Sequence, residues 1–362
     1  MHATALPDVR LLLDQIVDEA VHVCASDIHV EPTATHYEVR YRVDGSLGSA
    51  WKLDTPAGRG VVGRLMVLAQ LLTYRLDVPQ EGRLEWATGS SATKLPMRLA
   101  VMPTTHGLRA AVRLAAELIQ PQTLEELGHS PQVLEGLRRF AASDAGTLVV
   151  TGPAGSGKTT TIYAVLQHIV RQTPDVSVIA LEDPVERDIP GVTQIEVKPF
   201  GELTYERCLR SILRQDPQVL MLGEIRDATT ASLAIQAALS GHRLICTLHA
   251  ASPAGAIQRL LEMGCEPYQI TSALFGVLSQ RLLRRLANGG YRGRIAAAEF
   301  VPLDPALRKA ILARSDEEGL REAIQRRPHH HSLRSSACEL VESGVTDELE
   351  VRRVLGEESR HF

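Results

Sequence analysis

Residues 149–169 carry the clearest chemical pattern in the chain, an apolar run followed by a glycine-rich loop and a helical stretch. The loop, GPAGSGKT, fits the pattern G-x-x-x-x-G-K-[ST], whose glycines let successive backbone N–H groups face phosphate oxygens. We expect Lys158 to bridge the β- and γ-phosphates and Thr159 to give its hydroxyl to Mg²⁺. The alternative is a purely structural glycine turn. The pattern predicts that ATP binds at Gly152, Pro153, Ala154, Gly155, Ser156, Gly157, Lys158, Thr159 and Thr160.

Carboxylates follow two other apolar runs. QVLML is followed by Gly223 and Glu224, and VSVIAL leads into Glu182, Asp183 and Glu186. Most P-loop proteins place an Asp at the first of these points. Glu224 is expected there to orient the attacking water or to hold Mg²⁺ through water, unless it is only a solvated turn residue. The acids after VSVIAL lie where ligands bind in open α/β sheets, and one of them is expected to act as general base.

Histidines and arginines add two further candidate groups. His242 and His249 flank the apolar run RLICTL; as a pair they predict a γ-phosphate sensor, although a lone histidine in such a place is usually structural. Arg83, Arg98 and Arg113 fall on three consecutive predicted strands. They are either a solvated face or arginines that stabilise the charge developing in phosphoryl transfer, in the same chain or a neighbouring one.

The elements that must position these residues divide the chain into four parts. Residues 1–116 read as a small α+β domain, with a helix over 8–24, a hairpin strand over 37–43, a helix over 58–77 and strands near 83–86, 94–101 and 108–114. Residues 117–131 are rich in proline and polar residues, which is typical of a linker. Over 132–290, the runs TLVVT, VSVIAL, QVLML and RLICTL alternate with helices and predict a parallel α/β sheet. The remainder, 291–362, reads as helical.

Composition restricts the partners and the compartment. A net charge of −4 and an aromatic content of 4% argue against a dedicated nucleic-acid binder. The five cysteines are scattered without C-x-x-C spacing, so neither a zinc module nor a disulfide framework is expected. The N-terminus lacks the long apolar stretch of a signal peptide, and no window approaches 18 uninterrupted apolar residues. We therefore expect a cytoplasmic protein, peripheral to a membrane at most.

Several segments together resemble the secretion ATPase superfamily, which includes type II secretion ATPases (general secretion pathway protein E), type IV pilus assembly and retraction ATPases, and competence ATPases. GPAGSGKTTT, LEDPVERDIPGVTQIEV, LRSILRQDPQVLMLGEIRD, AALSGH and TLHA resemble its Walker A, Asp box, Walker B and His box, in that order. ASDIHVEP, RYRVDGSL and PQEGRL are similar to its N-terminal domain, and QRLLRRL and YRGRIAAAEF to its C-terminal portion. The four-cysteine zinc module of many secretion and assembly members is missing here, so no zinc is expected.

The resemblance implies a RecA-like P-loop ATPase domain joined by a flexible linker to a PAS-like N-terminal domain. It implies a homo-hexameric ATPase at the cytoplasmic face of the inner membrane, bound to a platform protein and driving pilin or pseudopilin assembly. Glu224 then corresponds to the Walker B glutamate. Glu182 and Glu186 fall in the Asp box and His242 and His249 in the His box. The arginines at 83, 98 and 113 match those that reach the nucleotide from the N-terminal domain.

Three functions are weighed on this basis. A protein-assembly motor for type II secretion, type IV pili or a competence system accounts for all the motifs together, with pilus retraction as its nearest alternative. A nucleic-acid motor would predict a basic groove with stacking aromatics. A nucleotide-binding scaffold without turnover would predict the loss of a catalytic acid, whereas Glu182 and Glu224 are both present.

Overall fold

The computed structural model describes residues 8–87, 94–114, 121–198 and 201–357. Its internal contacts divide the chain into one unit of residues 1–119 and another of residues 120–362. This division falls inside the predicted linker 117–131, of which residues 117–120 lie outside the described part. Leu124 and Leu127 are buried in the core of the second unit. The later part of the predicted linker is therefore packed, and we do not expect a hinge within it.

The first unit is an α+β structure built on one antiparallel sheet, as its alternating apolar residues predict. Its strands are ordered β3-β2-β1-β6-β5-β4, and its two helices pack their apolar residues into the same core as the sheet. The elements are α1 (Val9–His22), β1 (Asp27–Pro32), β2 (Tyr37–Val43), β3 (Ser46–Leu53), α2 (Thr55–Leu68), β4 (Gln80–Ala87), β5 (Lys94–Thr104) and β6 (Gly107–Leu114).

Local sequence explains how these elements meet. Asp44 and Gly45 have positive φ angles of 48° and 84°, and they form the two-residue turn of the predicted hairpin between β2 and β3. A Cβ at Gly58 would lie 2.2 Å from the ring of Tyr37, so glycine is what lets α2 approach β2.

The second helix ends earlier than the sequence predicts. It stops at Leu68 rather than continuing to residue 77. The side chain of Gln80 explains this ending. Its oxygen accepts from the backbone N–H of Leu72 at 2.8 Å, and its amide donates to the carbonyls of Leu72 and Arg75 at 3.0 and 2.6 Å. Backbone groups that a longer helix would have paired internally are paired by this side chain instead.

The second unit contains a seven-stranded sheet ordered β13-β12-β7-β11-β10-β8-β9, in which every pair is parallel except β12 with β13. A short 3-10 turn (Glu125–Leu127) precedes the first helix. The elements are α3 (Pro131–Ala141), β7 (Gly146–Thr151), α4 (Lys158–Gln172), β8 (Val178–Glu182), β9 (Thr193–Glu196), α5 (Tyr205–Ile212), β10 (Val219–Leu222), α6 (Ala228–Leu239), β11 (Arg243–Leu248), α7 (Pro253–Glu262), α8 (Pro267–Ala273), β12 (Leu274–Ala287), β13 (Gly290–Pro302), α9 (Pro305–Leu312), α10 (Glu317–Gln325), α11 (Leu333–Glu342) and α12 (Glu348–Leu355).

This sheet is buried on both faces, as its continuous apolar runs predict. Successive residues of a strand point to opposite faces. On β7, Val149 packs in a core with α5–α10, whereas Leu148 and Val150 pack in a core with α3 and α4. The parallel α/β fold expected for TLVVT, VSVIAL, QVLML and RLICTL is therefore confirmed. Within the described residues, no helix is both long and apolar enough to cross a membrane.

The C-terminal portion differs from its predicted helical character at its start. Residues 291–302 are not helical, because they form most of β13, which pairs with β12 from Gly276–Pro302 to Ala287–Gly290. A domain boundary at 290/291 would thus separate two paired strands of one sheet. Helices α9–α12 follow, as expected for the stretch beyond residue 302.

A buried ionic cluster fixes α12 to the sheet. The fully buried carboxylate of Glu350 accepts from the backbone N–H of Arg284 at 2.9 Å and from its guanidinium at 2.6 Å. Arg353 donates to the same carboxylate at 2.6 Å. The Arg284 guanidinium lies 4.0 Å from the ring centroid of Tyr291, whose hydroxyl contacts both oxygens of Asp347 at 2.8 and 2.7 Å. These donors hold the pKa of Glu350 down at about 2, although burial opposes them.

His129, beside the 3-10 turn, predicts a pH-dependent stability. Its side chain is 6% exposed, and neither ring nitrogen has a hydrogen-bond partner within the described residues. Burial lowers its pKa to about 4, whereas an unfolded histidine titrates near 6.5. Because the folded state binds fewer protons between these values, the free energy of unfolding should fall as pH drops from about 6.5 to 4, by about 3 kcal/mol in total.

Denaturant unfolding at several pH values measures this effect. His129→Leu should flatten the acid side of the stability profile, while the exposed His329→Asn should leave its slope close to that of the parent protein. Equal slopes for the parent protein and His129→Leu would contradict the prediction.

Candidate nucleotide-binding site

The glycine-rich loop joins β7 to α4 at the edge of the sheet where the parallel strands end. The hydroxyl of Thr151 donates to the carbonyls of Leu248 and Ala250 at 3.0 and 2.8 Å, which fixes the end of β7 against the end of β11. Gly157 is the N-cap of α4, with φ of 86° and no capping side chain. The first-turn N–H groups of α4 are thus left for a ligand, and an anion is the ligand that a helix N-terminus favours.

The interior of the loop also fits an anion. A Cβ at Gly152 would lie 2.6 Å from both the carbonyl oxygen of Gln280 and the hydroxyl oxygen of Ser156, and its φ is 148°, so only glycine fits. The Ser156 hydroxyl is buried and has no hydrogen-bond partner in the described part of the chain. Buried polar groups are rarely unpaired in folded proteins, and a phosphate oxygen in the loop would supply the missing partner.

Lys158 lies across this loop. Its ammonium donates to the carbonyls of Gly152 and Pro153, both at 2.9 Å. Burial lowers its pKa, the Glu224 carboxylate opposes that shift, and Arg281 adds to it. Phosphate oxygens are stronger acceptors for an ammonium than neutral carbonyls. Thr159, the next residue of α4, is only partly buried, and its hydroxyl is of the oxygen type that Mg²⁺ prefers.

Gln280 of β12 supports the loop, and Arg281 beside it contacts the segment after β11; sequence reasoning assigned neither residue a role. Gln280 is buried, and its amide donates to the carbonyl of Ser156 at 2.6 Å and accepts from the hydroxyl of Thr161 at 3.0 Å. Arg281 donates to the carbonyl of Ala251 at 2.9 Å. The only signal was the motif QRLLRRL, which the resemblance places in the C-terminal portion without a role for either residue.

Glu224 lies at the end of β10 in a group of charged side chains. Its two oxygens pair with the guanidinium of Arg226 at 2.7 Å and with Nε2 of His249 at 3.1 Å. Arg226 also lies 3.5 Å from the carboxylate of Asp183, at the end of β8. The hydroxyl of Thr247 donates to the carbonyl of Gly223 at 2.6 Å. The ends of β8, β10 and β11 are therefore linked beside the loop after β7.

The other predicted acids are placed differently. Glu182 is 2% exposed, and it is hydrogen bonded to the hydroxyl of Tyr163 and to the amide of Gln194. Burial raises its pKa, which these two donors oppose. Glu186 is exposed, in the segment that follows β8.

The two predicted histidines do not lie together. His249 follows the C-terminal end of β11, beside Glu224, but His242 precedes its N-terminal end. Its ring contacts the carbonyl of Ala237 at 2.8 Å, and its own carbonyl accepts from Gly146 at the start of β7. A strand of six residues separates its ends by roughly 17–20 Å. His242 is thus at the opposite edge of the sheet from the loop, because a strand carries its flanking residues in opposite directions.

The three arginines of the first unit form a row. Arg83 lies opposite Arg98, and Arg98 lies opposite Arg113, on adjacent strands β4, β5 and β6. All three are exposed, on the face away from the core. Arg113 also donates to Asp27 at 3.3 Å. The three arginines lie on three consecutive strands, as predicted, and their action on a nucleotide stays a prediction.

Comparison with known proteins places this site in a family. The model of the family described as "Type II/IV secretion system protein" matches residues 3–353. The type II secretion system protein HxcR of Pseudomonas aeruginosa is 37% identical over an alignment of length 368, gaps included, which covers 96% of this chain and 77% of that protein. The type IV pilus assembly ATPase PilB of Thermus thermophilus is 36% identical over an alignment of length 371, which covers 92% of this chain and 41% of PilB.

The fold has a matching solved structure. The crystal structure of the pilus retraction motor PilT with bound ADP aligns at a TM-score of 0.65 and 25% sequence identity, over 94% of this chain and 96% of that one. The parallel sheet of the second unit, with its glycine-rich loop after β7, is the RecA-like ATPase architecture that the sequence predicts. By its motifs, its fold and the extent of the family match, the chain belongs to the type II/IV secretion system protein family.

Proposed function

We propose that this protein is an ATPase whose turnover powers the assembly of pilin or pseudopilin subunits in a type II secretion, type IV pilus or related competence machine. The observation that carries the proposal is that the glycine-rich loop and a group of charged side chains lie at the same end of the parallel strands. There the loop after β7 and the Glu224–His249–Arg226 group follow the carboxyl ends of parallel strands, and, against the larger effect of burial, the Glu224 carboxylate raises the pKa of Lys158, in a chain of the secretion family. Both curated relatives described above are named for secretion or for pilus assembly.

The residues divide the work of hydrolysis. In this proposal the N–H groups of the loop and of α4 bind the phosphates, Lys158 holds the β- and γ-phosphates, and Thr159 holds Mg²⁺. The metal, when bound, neutralises charge on the phosphate oxygens. Glu224, which is partly exposed, accepts a hydrogen bond from the attacking water and orients it. His249 holds the other oxygen of Glu224 and keeps that carboxylate directed toward the loop.

Glu182 is less suited to act as the base than Glu224. Both carboxylates are held by two partners, but Glu182 is only 2% exposed, whereas the side chain of Glu224 is 19% exposed. A general base needs to reach the proton that it removes. We therefore assign water activation to Glu224 and a supporting role to Glu182. Arg83, Arg98 and Arg113 are proposed to stabilise the developing charge, from the same or a neighbouring subunit.

The proposed working form is a homo-hexamer at the cytoplasmic face of the inner membrane, held there by a platform protein. Cycles of nucleotide binding and release would move the two units relative to one another, and a ring would convert that motion into displacement of the platform.

Pilus retraction is the second candidate function, and the likeness to the retraction motor PilT favours it. The identity to that motor is 25%, against 36% to PilB and 37% to HxcR. Assembly is therefore the better supported direction. A nucleic-acid motor has no comparable support.

Turnover measured against protein concentration tests the proposal. ATP hydrolysis per subunit should rise as the chain assembles into a six-fold species, with molecular mass measured in the same samples. Glu224→Gln should still bind ATP and assemble, but its kcat should fall about 10²-fold or more, because the amide cannot accept the proton that the carboxylate attracts.

Glu206→Gln, which neutralises an exposed acid on α5, is the matched control and should keep the parent turnover. Turnover that Glu224→Gln leaves unchanged would contradict the assignment of Glu224. A folded protein that binds ATP without hydrolysing it, with or without added platform protein, would contradict the ATPase proposal.

A further inference from the structure

Tyr163 links the helix after the nucleotide loop to the acidic segment after β8. It is the sixth residue of α4 and is 1% exposed. Its hydroxyl donates to the carboxylate of Glu182 and accepts from the backbone N–H of Glu186 at 3.3 Å. The guanidinium of Arg187 lies 5.3 Å from the centroid of its ring, within the range of a cation–π contact. One side chain of α4 thus contacts three residues of the segment 182–187.

Gln194 of β9 completes this arrangement from the other side. Its amide nitrogen donates to the second oxygen of Glu182 at 2.8 Å and to the carbonyl of Arg187 at 2.9 Å, while its oxygen accepts from the N–H of Ile189 at 2.8 Å. Glu182 is therefore held between Tyr163 and Gln194. A buried carboxylate held by two donors has a defined position and orientation.

The position of Glu182 determines that of the next residue, Asp183. The carboxylate of Asp183 lies 3.5 Å from Arg226, whose guanidinium donates to Glu224 at 2.7 Å. Gly223, just before Glu224, donates its N–H to the carbonyl of Leu181 at 2.7 Å. Contacts therefore run without a break from α4 through Glu182 to the residue that we assign to water activation.

We propose that Tyr163 is a positioning residue for ATP hydrolysis, which ties the helix that follows the nucleotide loop to Glu182 and thereby fixes the Asp183–Arg226–Glu224 group. This inference rests on the proposed ATPase function. Tyr163 does not touch the phosphates in this role. It makes the geometry of the water-activating group depend on the position of α4, whose first turn is the proposed phosphate site.

The charges around Glu182 affect the pKa of its carboxyl group, and the dependence of kcat on pH should report that pKa. Glu186 from the same segment and Glu196 from β9 raise its pKa after the larger effect of burial, and the two donors lower it. The phenol of Tyr205 on α5 also lies within the electrostatic influence of Glu182. Removing the hydroxyl of Tyr163 takes away one donor that favours the charged form, so Glu182 should bind its proton at a higher pH.

Tyr163→Phe tests the proposal because it keeps the ring and its contact with Arg187 while removing the hydroxyl. We expect kcat to fall about 10-fold or more with the KM for ATP nearly unchanged, since the loss affects water activation and not phosphate binding. The acid limb of the kcat–pH profile should move to higher pH. Gln194→Met, which removes the other donor to Glu182, should move that limb in the same direction.

Tyr291→Phe is a matched control in the same unit. It also removes a tyrosine hydroxyl from a carboxylate, that of Asp347, beneath an arginine that lies over the ring. It should lower the free energy of unfolding as Tyr163→Phe does, and should leave kcat and the acid limb unchanged. Thermal unfolding of all variants verifies that each is folded under assay conditions.

The possible outcomes distinguish a failure of this inference from a failure of the proposed ATPase function on which it rests. If Tyr163→Phe keeps the parent kcat, or loses activity with an unmoved acid limb, Tyr163 has only a structural role and the inference is overturned. The ATPase proposal survives that result as long as Glu224→Gln still removes turnover. If the parent protein has no turnover that depends on Glu224, the proposed function fails instead.

Discussion

Replacement of Lys158 by alanine is expected to lower ATP turnover at least about 10³-fold, because in the proposed site it removes the ammonium that would hold the β- and γ-phosphates, where charge develops during transfer. The substitution should not unfold the protein. Lys158 is partly exposed, and its side chain donates hydrogen bonds, within the described residues, only to the carbonyls of Gly152 and Pro153. Affinity for ATP should fall as well, since the same ammonium contributes to ground-state binding.

Steady-state hydrolysis and direct nucleotide-binding titrations measure the two effects. Lys309→Ala is a matched control, because Lys309 is a lysine of the same unit and lies on α9, apart from the loop. It should keep the parent turnover and affinity. A folded Lys158→Ala protein with more than a tenth of the parent kcat would show that the loop is a structural turn.

Replacement of Glu350 by alanine should lower the free energy of unfolding more than any other substitution predicted above. The carboxylate is fully buried and bonded to both Arg284 and Arg353. Removing one partner of a buried ion pair typically costs about 3–5 kcal/mol, and the lower end of that range is expected here because the side chains of Arg284 and Arg353 are 19% and 45% exposed. We expect α12 to detach from β12 as part of this loss. Denaturant unfolding measures the free energy, and limited proteolysis near residue 345 detects the detachment.

Glu348→Ala is the control, on the same helix. Its carboxylate is largely exposed and pairs only with Arg352 in the described residues, and exposed pairs of this kind contribute about 0–1 kcal/mol. The low pKa of Glu350 gives a second check. Because the folded carboxyl titrates near 2 and an unfolded one near 4.3, the stability that it contributes is complete above about pH 4.5 and is lost as pH falls toward 2. Equal stability of the two variants at pH 7 would contradict the prediction.

The sequence predicts most of this fold because its strongest patterns are local. Continuous apolar runs identify the four inner parallel strands, and alternation identifies β2 and the strands that carry the arginine row. The strand β12 is not identifiable in this way. Its second half, QRLLRRL, has the leucine and arginine content of a helix, and its extended conformation depends on pairing with β7 and β13. Tertiary pairing of this kind overrides local propensity.

The candidate site, like the fold, is predictable only where its signal is local in the sequence. The glycine loop is one continuous stretch, so its type and spacing are sufficient to recognise it. Gln280 is not recognisable, because its partner Ser156 is 124 residues away. Tyr163 and Gln194 likewise gain their roles only when α4, β8 and β9 meet. His242 presents a different difficulty, since closeness in sequence to a site strand does not indicate which end of that strand a residue flanks.

The central position of β7 in the sheet has a consequence for folding during synthesis on the ribosome. Its two neighbours, β11 and β12, are both later in the chain, and the glutamine that supports its loop is synthesised 124 residues after Ser156. At translation rates of about 5–20 residues per second, that interval lasts roughly 6–25 s. During this time a nascent chain already carries the whole glycine motif, yet it lacks the strands that give the motif its shape. Under the proposed function, the nucleotide site would therefore be completed only late in synthesis, when β12 joins the sheet.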